Sequence, residues 1–151
     1  MNAKTTFIRK AVPEDAVRIA EIEVFNYRLN FYPIFRCDDF YFNELNVPSE
    51  TKRYSTLTDS IYVYDDGAVK GFILLDGKEV VQLFTEPVVQ GQGIGSALLE
   101  SAVEKHGSEF LYVLEKNSRA ANFYTRHGFN LTEDKKYEDG TEEFLVKMVR
   151  S

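Results

Sequence analysis

A glycine-rich segment, residues 90–96, has the clearest chemical potential in this sequence. Glycine alternates with other residues at Gly91, Gly93 and Gly95. A β-like run precedes the segment and a helix-forming run follows it, so the glycines join a strand to a helix. Because glycines have no side chains, their backbone N–H groups stay accessible at a place where a helix N-terminus concentrates positive potential. This arrangement can bind phosphate, although glycines that serve only a turn would have the same pattern.

The spacing distinguishes this segment from two other phosphate-binding loops. The dinucleotide fingerprint requires Gly-x-Gly-x-x-Gly in an N-terminal βαβ unit, whereas these glycines have the spacing Gly-x-Gly-x-Gly and lie past the middle of the chain. The nucleotide P-loop requires Gly-Lys-Ser/Thr, and residues 90–96 contain no lysine. Spacing and topology therefore exclude a nucleotide-binding Rossmann domain and a P-loop enzyme.

The elements that position this segment follow from periodicity and turn residues. Strand, glycine segment, helix and strand form a βαβ unit with a parallel strand pair. The whole pattern predicts an α/β (α+β) fold, with a mixed central sheet of six to seven strands and helices on both faces. The predicted elements are a strand at 6–11, a helix at 13–26, an irregular or short-helical aromatic segment at 29–49, a hairpin at 60–64 and 68–75, a strand at 79–85, a helix ending near 106, a strand at 110–114, a helix around 120–127, and a closing hairpin at 130–137 and 142–149.

Composition bounds the class of protein. The 151 residues are 44% hydrophobic and 28% charged, which is typical of one globular domain. A net charge of −6 argues against nucleic acid or an anionic membrane as the main partner. Cys37 is the single cysteine, so no internal disulfide can form, and nothing near it in sequence would activate the thiol. With no apolar run of signal-peptide or membrane-span length, we expect a cytoplasmic protein.

Two blocks of sequence resemble the motifs of the GNAT N-acetyltransferase superfamily. Residues 83–98 contain the family's acetyl-CoA element, Gln/Arg-x-x-Gly-x-Gly/Ala. Residues 117–129 resemble its Asn-x-x-Ala-x-x-Phe/Leu-Tyr-x-x-x-Gly-Phe block. The blocks occur in the family's order and separation, and the flanking elements match its fold. The resemblance covers essentially the whole chain as one GNAT domain, 1–151, and is weakest over 27–58.

The resemblance implies an acetyl-CoA-dependent N-acetyltransferase that transfers the acetyl group directly to a primary amine in a ternary complex. Backbone N–H groups of 90–96 would hold the pyrophosphate, and edge backbone groups of Phe84 and Thr85 would pair with the pantetheine arm like an added strand. Lys116 and Arg119 are further candidates for the 3′-phosphate. Two glutamines of the glycine segment stand where the family often has basic residues. The expected cofactor-binding residues are Phe84, Thr85, Gln90, Gly91, Gln92, Gly93, Ile94, Gly95, Ser96 and Asn117.

Tyr124 occupies the position of the family's general acid. A phenol has a pKa of about 10, close enough to that of a thiol to protonate the leaving thiolate. The competing interpretation is a core aromatic residue beside Phe123. A backbone N–H at the Thr85 strand end would meet the oxyanion.

Glu79 is the candidate general base, because its spacing resembles the strand glutamate of histone-acetylating members. Strand alternation predicts that Glu79 shares a face with Leu83 and Thr85. It could instead be a solvated surface residue. Tyr112 stands where ribosomal-protein-acetylating members carry a glutamate, so that arrangement is absent. The alternatives are Glu115, His106, His127 or a chain of waters.

Eight aromatic residues lie between positions 25 and 42, interspersed with Asp38, Asp39 and nearby Glu44. They predict an apolar acceptor pocket with an acidic rim, or else packing on the sheet or a dimer interface. The expected acceptor is a small-molecule amine or a protein or peptide amine. No metal, nucleic acid or membrane partner is expected, and a homodimer is open. A non-catalytic acyl-CoA-binding module is the alternative function.

Overall fold

The computed structural model describes residues 3–151. Within them, seven strands form one sheet in the order β1-β2-β3-β4-β5-β7-β6, in which β4 and β5 are parallel and the other neighbours antiparallel. The prediction of a mixed sheet is confirmed. The strands are β1 (Ile8–Lys10), β2 (Ile61–Asp65), β3 (Val69–Asp76), β4 (Glu79–Thr85), β5 (Phe110–Leu114), β6 (Phe129–Tyr137) and β7 (Phe144–Arg150).

Helices cover both faces of the sheet, as predicted. The apolar residues of α1 pack with β2 and β3 in one buried cluster, to which α3 contributes Tyr54. Those of α4 and α5 pack in a second cluster on the opposite face. None of the helices in residues 3–151 is long and apolar enough to cross a membrane. The helices are α1 (Ala16–Asn26), α2 (Tyr32–Phe35), α3 (Val47–Ser55), α4 (Ile94–His106) and α5 (Ser118–Arg126).

The N-terminal strand is shorter than predicted. Ala3–Phe7 forms a 3-10 turn, and only Ile8–Lys10 pairs with β2. The turn lies against the glycine segment, since a Cβ added at Gly93 would be 3.6 Å from Lys4 Cδ. The strand prediction for 6–7 was therefore wrong, because this part of the chain turns toward α4 instead of pairing.

The aromatic segment is short-helical, in agreement with the prediction. The chain leaves α1 without a break and continues as a π-helical turn, Tyr27–Phe31, before α2. A second π-helical turn, Phe40–Glu44, follows. Most aromatic rings of the segment pack around Val24, Tyr41 and Leu45 in a third buried cluster. This cluster places a wall of aromatic side chains beside β4.

β4 and β5 diverge soon after they start. Their parallel pairing is limited to Glu79 with Phe110 and Val80 with Leu111. β5 pairs with β7 along its whole length. Because β5 pairs with only the first two residues of β4, the C-terminal half of β4 has a free edge. A free edge can accept an extended chain as an added strand.

A β-bulge breaks the alternation of β4. Leu74 pairs with Gln82 but Leu75 pairs with Val80, so Val81 is the extra residue. Val80 and Leu83 consequently pack in the same cluster as α4, although they are three residues apart.

The prediction that Glu79 shares a face with Leu83 and Thr85 was therefore wrong. Thr85 lies on the α4 face, because its Cγ2 is 3.1 Å from a Cβ added at Gly71, beside Ile94. Glu79 precedes Val80 and so points to the opposite face, the side of α1 and Gln82.

Candidate active site

The glycine segment forms an uncapped helix N-terminus. Gly91 and Gly93 have φ of 82° and 85°, a left-handed conformation that favours glycine. Gly93 is the N-cap of α4, and it provides no side-chain capping hydrogen bond. The N–H groups of the first turn are thus available to an anion.

A cavity of about 830 Å³ lies in front of this N-terminus. The free edge of β4 forms one wall and α5 another. Nine of the ten predicted cofactor-binding residues line it, and Gln92 does not. The lining residues that the sequence predicted are Phe84, Thr85, Gln90, Gly91, Gly93, Ile94, Gly95, Ser96 and Asn117.

The free edge of β4 presents alternate peptide groups. The Glu86 N–H donates to the Lys70 carbonyl at 2.8 Å, and alternate residues of an antiparallel strand bond to the same neighbour. Phe84 therefore directs its peptide groups to β3, whereas Leu83 and Thr85 direct theirs to the opening. The expectation that the Phe84 backbone pairs with the pantetheine arm was wrong, and its ring lines the cavity instead.

Asn26 is a cavity residue that sequence reasoning missed. It is buried at the end of α1, and its Nδ2 donates to the Thr85 carbonyl at 2.8 Å and to the Ile22 carbonyl at 2.8 Å. Its Oδ1 accepts from Gln90 Nε2 at 3.3 Å. Asn26 thus joins α1 to both sides of the cavity. In the sequence it is an ordinary polar residue in a last helical turn, which gives no signal of this role.

The polar residues in and just before α5 have different roles. The Asn117 side chain caps α5 by accepting from the Ala120 N–H at 3.2 Å. Arg119 lines the cavity and donates to Gln90 Oε1 at 3.2 Å. Lys116 pairs with Glu143 at 2.8 Å and lies outside the lining. Arg126, which the sequence did not single out, also lines the cavity.

Tyr124 extends from α5 to the end of this cavity. Its ring packs against Phe123 and Phe129, with centroid separations of 5.2 and 6.1 Å. It is 9% exposed, and burial raises the pKa of the phenol. Within residues 3–151 its hydroxyl forms no hydrogen bond. The Tyr124 side chain is thus both a core aromatic residue and a protonated donor at the cavity surface.

A second cavity of about 990 Å³ meets the first at Tyr124. Aromatic side chains of the segment after α1 form one wall, and the β6–β7 hairpin forms the other. Glu79 lines this second cavity together with five other acidic residues and one lysine. The residues common to both cavities are Phe31, Leu83, Phe84, Asn117, Ala120 and Tyr124. The acidic lining residues are Glu44, Glu79, Glu138, Asp139, Glu142 and Glu143.

The other base candidates have different surroundings. Glu115 forms an ion pair with Lys135, and His106 lies against the Tyr62 ring at 4.4 Å; neither lines a cavity. His127 Nε2 is 3.0 Å from Ser96 Oγ, and burial lowers its pKa. Of the alternatives to Glu79, only His127 contacts a residue of the cavities.

Two acidic residues predicted for the acceptor rim lie outside the second cavity. Asp38 accepts from the Tyr32 hydroxyl at 2.5 Å, and Asp39 accepts from Asn43 Nδ2 at 2.9 Å. Both carboxylates therefore stabilise the segment itself, and the acidic rim comes mainly from the β6–β7 hairpin.

Known proteins share this sequence pattern and fold. The model of the acetyltransferase (GNAT) domain family matches residues 58–131. The peptidyl-lysine N-acetyltransferase YjaB of Salmonella typhimurium is 37% identical over 79 residues, which are 52% of this chain. The match spans about half, 54%, of that relative.

Two solved structures have the same fold. The solution structure of apo-form YjaB from Escherichia coli has a TM-score of 0.71 at 23% identity, covering 94% of this chain and 95% of that one. The PaiA N-acetyltransferase of Thermoplasma acidophilum in complex with coenzyme A has a TM-score of 0.60 at 24% identity, covering 93% and 96%. With the diverging β4–β5 pair, these matches show that the chain has the fold of the GNAT acetyltransferases and that its residues 58–131 match the model of the GNAT domain family.

Proposed function

We propose that this protein is an acetyl-CoA-dependent N-acetyltransferase that transfers the acetyl group directly to a primary amine. The observation that carries the proposal is the meeting of two cavities at Tyr124. One has the anion-binding features that a CoA diphosphate needs, and the other has an acidic, aromatic lining that suits an amine. The similarity of residues 58–131 to the acetyltransferase (GNAT) domain supports the same reaction.

In this proposal the first cavity binds acetyl-CoA. The N–H groups of the glycine segment hold the diphosphate at the start of α4. The N–H and carbonyl of Leu83 and the carbonyl of Thr85 pair with the amides of the pantetheine arm in the manner of an added strand. Arg119 and Arg126 add positive charge to the cavity, which partly replaces the basic residues that the glycine segment lacks.

The chemistry requires three groups. The neutral amine attacks the thioester carbonyl carbon, the C–S bond of the tetrahedral intermediate breaks, and the thiolate leaves. The Thr85 N–H faces the opening and would donate to the oxyanion. Tyr124 would donate its phenolic proton to the departing sulfur, because its raised pKa keeps it protonated at neutral pH.

Glu79 would take the proton from the acceptor ammonium, directly or through a water. It lines the second cavity on the α1 face of β4. Within residues 3–151 it forms no ion pair, so its carboxylate is not engaged by a cationic side chain. A bridging water is consistent with its position near the start of β4, since Leu83 and Thr85 lie toward the other end.

A lysine side chain of a peptide is the acceptor that we propose. Two relatives are named peptidyl-lysine N-acetyltransferases. The lining fits a lysine, because aromatic rings can contact its apolar stem while carboxylates attract its ammonium group. Small amines and peptide N-termini are the competing acceptors.

The decisive test follows the release of free CoA from acetyl-CoA in the presence of matched acceptors. The panel should contain a lysine peptide with a blocked N-terminus, a lysine-free peptide with a free N-terminus, and small amines. We expect turnover with the lysine peptide. Binding of acetyl-CoA by calorimetry without turnover on any acceptor would favour the non-catalytic acyl-CoA-binding module.

A further inference from the structure

A buried polar cluster lies behind the second cavity. It joins Glu23 of α1 to Arg53 and Tyr54 of α3 and to Gln82 of β4. Glu23 is 2% exposed and Tyr54 is fully buried. Gln82 also reaches the Tyr27 hydroxyl at 3.2 Å, and Gln82 and Tyr27 both line the second cavity. The cluster therefore holds part of the wall of the acceptor cavity.

The hydrogen bonds of this cluster lack one proton if Glu23 is ionised. The Tyr54 hydroxyl is 2.5 Å from Glu23 Oε2 and 2.8 Å from Gln82 Oε1, but it has a single proton for two acceptors. Exchanging the oxygen and nitrogen of the Gln82 amide does not remove the deficit. It would place an oxygen 3.0 Å from Glu23 Oε2, again two acceptors face to face. One proton on Glu23 Oε2 completes the cluster in either amide orientation.

The charges agree with this count. Arg53 donates to Glu23 Oε2 at 2.8 Å and to Glu50 Oε2 at 2.8 Å, so one guanidinium serves two carboxyl groups. Glu23 Oε1 is buried and has no donor among residues 3–151. Burial first, and the facing Glu50 carboxyl second, raise the pKa of Glu23 to about 7. The cluster is electrically balanced when one carboxyl carries a proton.

We propose that Glu23 is a neutral carboxylic acid in the folded protein and that it positions Gln82 and Tyr27 for binding of the acceptor. This role rests on the proposed function, since it assigns the second cavity to the acceptor. Glu23 does not touch that cavity and acts through the Gln82 amide.

Loss of the Glu23 proton has a defined consequence. Tyr54 can then donate to the carboxylate or to Gln82 Oε1, but not to both. The Gln82 amide loses one of its fixed contacts, and the cavity wall that it shares with Tyr27 is no longer held in one arrangement. Binding of the acceptor weakens as pH rises, while binding of acetyl-CoA at the glycine segment stays the same.

The kinetic test compares wild type with Glu23→Gln, whose amide keeps the size of the acid and supplies a donor without titrating. The ratio of the two kcat/KM values for the acceptor cancels the ionisation of the acceptor itself. We expect a ratio near one at about pH 6 that falls roughly five- to tenfold by about pH 9, the worth of one hydrogen bond. The effect should lie in the KM of the acceptor. A ratio that does not change with pH would overturn the proposal.

Thermal unfolding tests the protonation without any need for activity. A carboxyl group whose pKa rises on folding stabilises the fold below its unfolded pKa, and that stability disappears as pH rises through the folded pKa. The Tm of wild type should therefore fall relative to Glu23→Gln up to about pH 7.

Glu50→Gln is the matched variant, because it removes the second carboxyl that raises the pKa of Glu23. In this variant the fall in Tm should be smaller and should end at a lower pH. Parallel Tm profiles of wild type and Glu23→Gln would show that Glu23 is ionised throughout. A pH-dependent Tm difference in a protein that never releases CoA would count against the proposed reaction while leaving the protonation of Glu23 supported.

Discussion

Tyr124 combines two properties that a proton donor to a thiolate needs. Its ring is fixed by Phe123 and Phe129, and its hydroxyl lies at the junction of the two cavities without a partner among residues 3–151. The sequence motif indicated this position. It could not indicate that burial raises the pKa, because burial depends on α5 packing against the sheet.

Removing the Tyr124 hydroxyl should affect turnover more than binding. We expect Tyr124→Phe to lower kcat roughly 10- to 10³-fold, the range of lost acid catalysis, with little change in acetyl-CoA affinity. Steady-state kinetics and calorimetry check the two parts. Tyr62→Phe is the control, since Tyr62 packs on His106 away from both cavities. Wild-type kcat in Tyr124→Phe would leave this residue with a packing role alone.

Glu79→Gln tests the base at the same scale. The variant keeps the size of the side chain and removes its basicity, so kcat/KM should fall most at low pH. The loss should shrink as pH rises, because more acceptor is already a free amine. Glu109→Gln is the matched control, since Glu109 is exposed and pairs with Lys78. If the rate of the chemical step is unchanged in Glu79→Gln between about pH 6 and 9, the general base must be His127 or solvent.

At the scale of elements, the glycine segment and β4 show what sequence can and cannot predict. The bounds of β4 and β5 agree with the predictions because turn residues and apolar runs mark their ends. The bulge at Val81 could not be predicted, since two adjacent valines fit a regular strand equally well. That single extra residue moves Glu79 to the α1 face beside Gln82.

The proposed phosphate-binding role of the glycine segment leads to a prediction about Gly93. Gly93→Asp adds a carboxylate and a Cβ at the N-cap of α4, where φ is 85°. Like-charge repulsion should abolish measurable binding of acetyl-CoA in calorimetry.

Backbone strain alone must be separated from this effect. Gly77→Asp provides the control, because Gly77 also has a positive φ, 58°, and lies in the turn before β4. It should lower stability without changing acetyl-CoA affinity. A folded Gly93→Asp protein that binds acetyl-CoA as wild type does would exclude this segment as the phosphate site.

At the scale of the whole molecule, the elements around the proposed acetyl-CoA site and the proposed acceptor site pack on both faces of the sheet. α4 and the glycine segment belong to one face, and the aromatic wall and the Glu23 cluster belong to the other. The open edge of β4 joins the two sides. This division follows from the order of the strands on either side of the β4–β5 divergence. The order of the two sequence motifs indicated that strand order. The side chains that line the second cavity come from segments that are distant in the sequence, so sequence spacing could not bring them together.

Two cavities that share lining residues around Tyr124 predict a sequential kinetic mechanism. Both substrates can occupy the protein together, so initial rates measured against each substrate should give intersecting double-reciprocal lines. A ping-pong pattern of parallel lines would instead indicate an acetylated enzyme.

Cys37 is the nucleophile to test for such a covalent route, because it is exposed and lines the second cavity. We expect Cys37→Ser to keep the wild-type kcat and the intersecting pattern. Loss of activity in this variant, together with an acetyl adduct on wild-type protein in mass spectrometry, would replace direct transfer with a covalent route through the thiol.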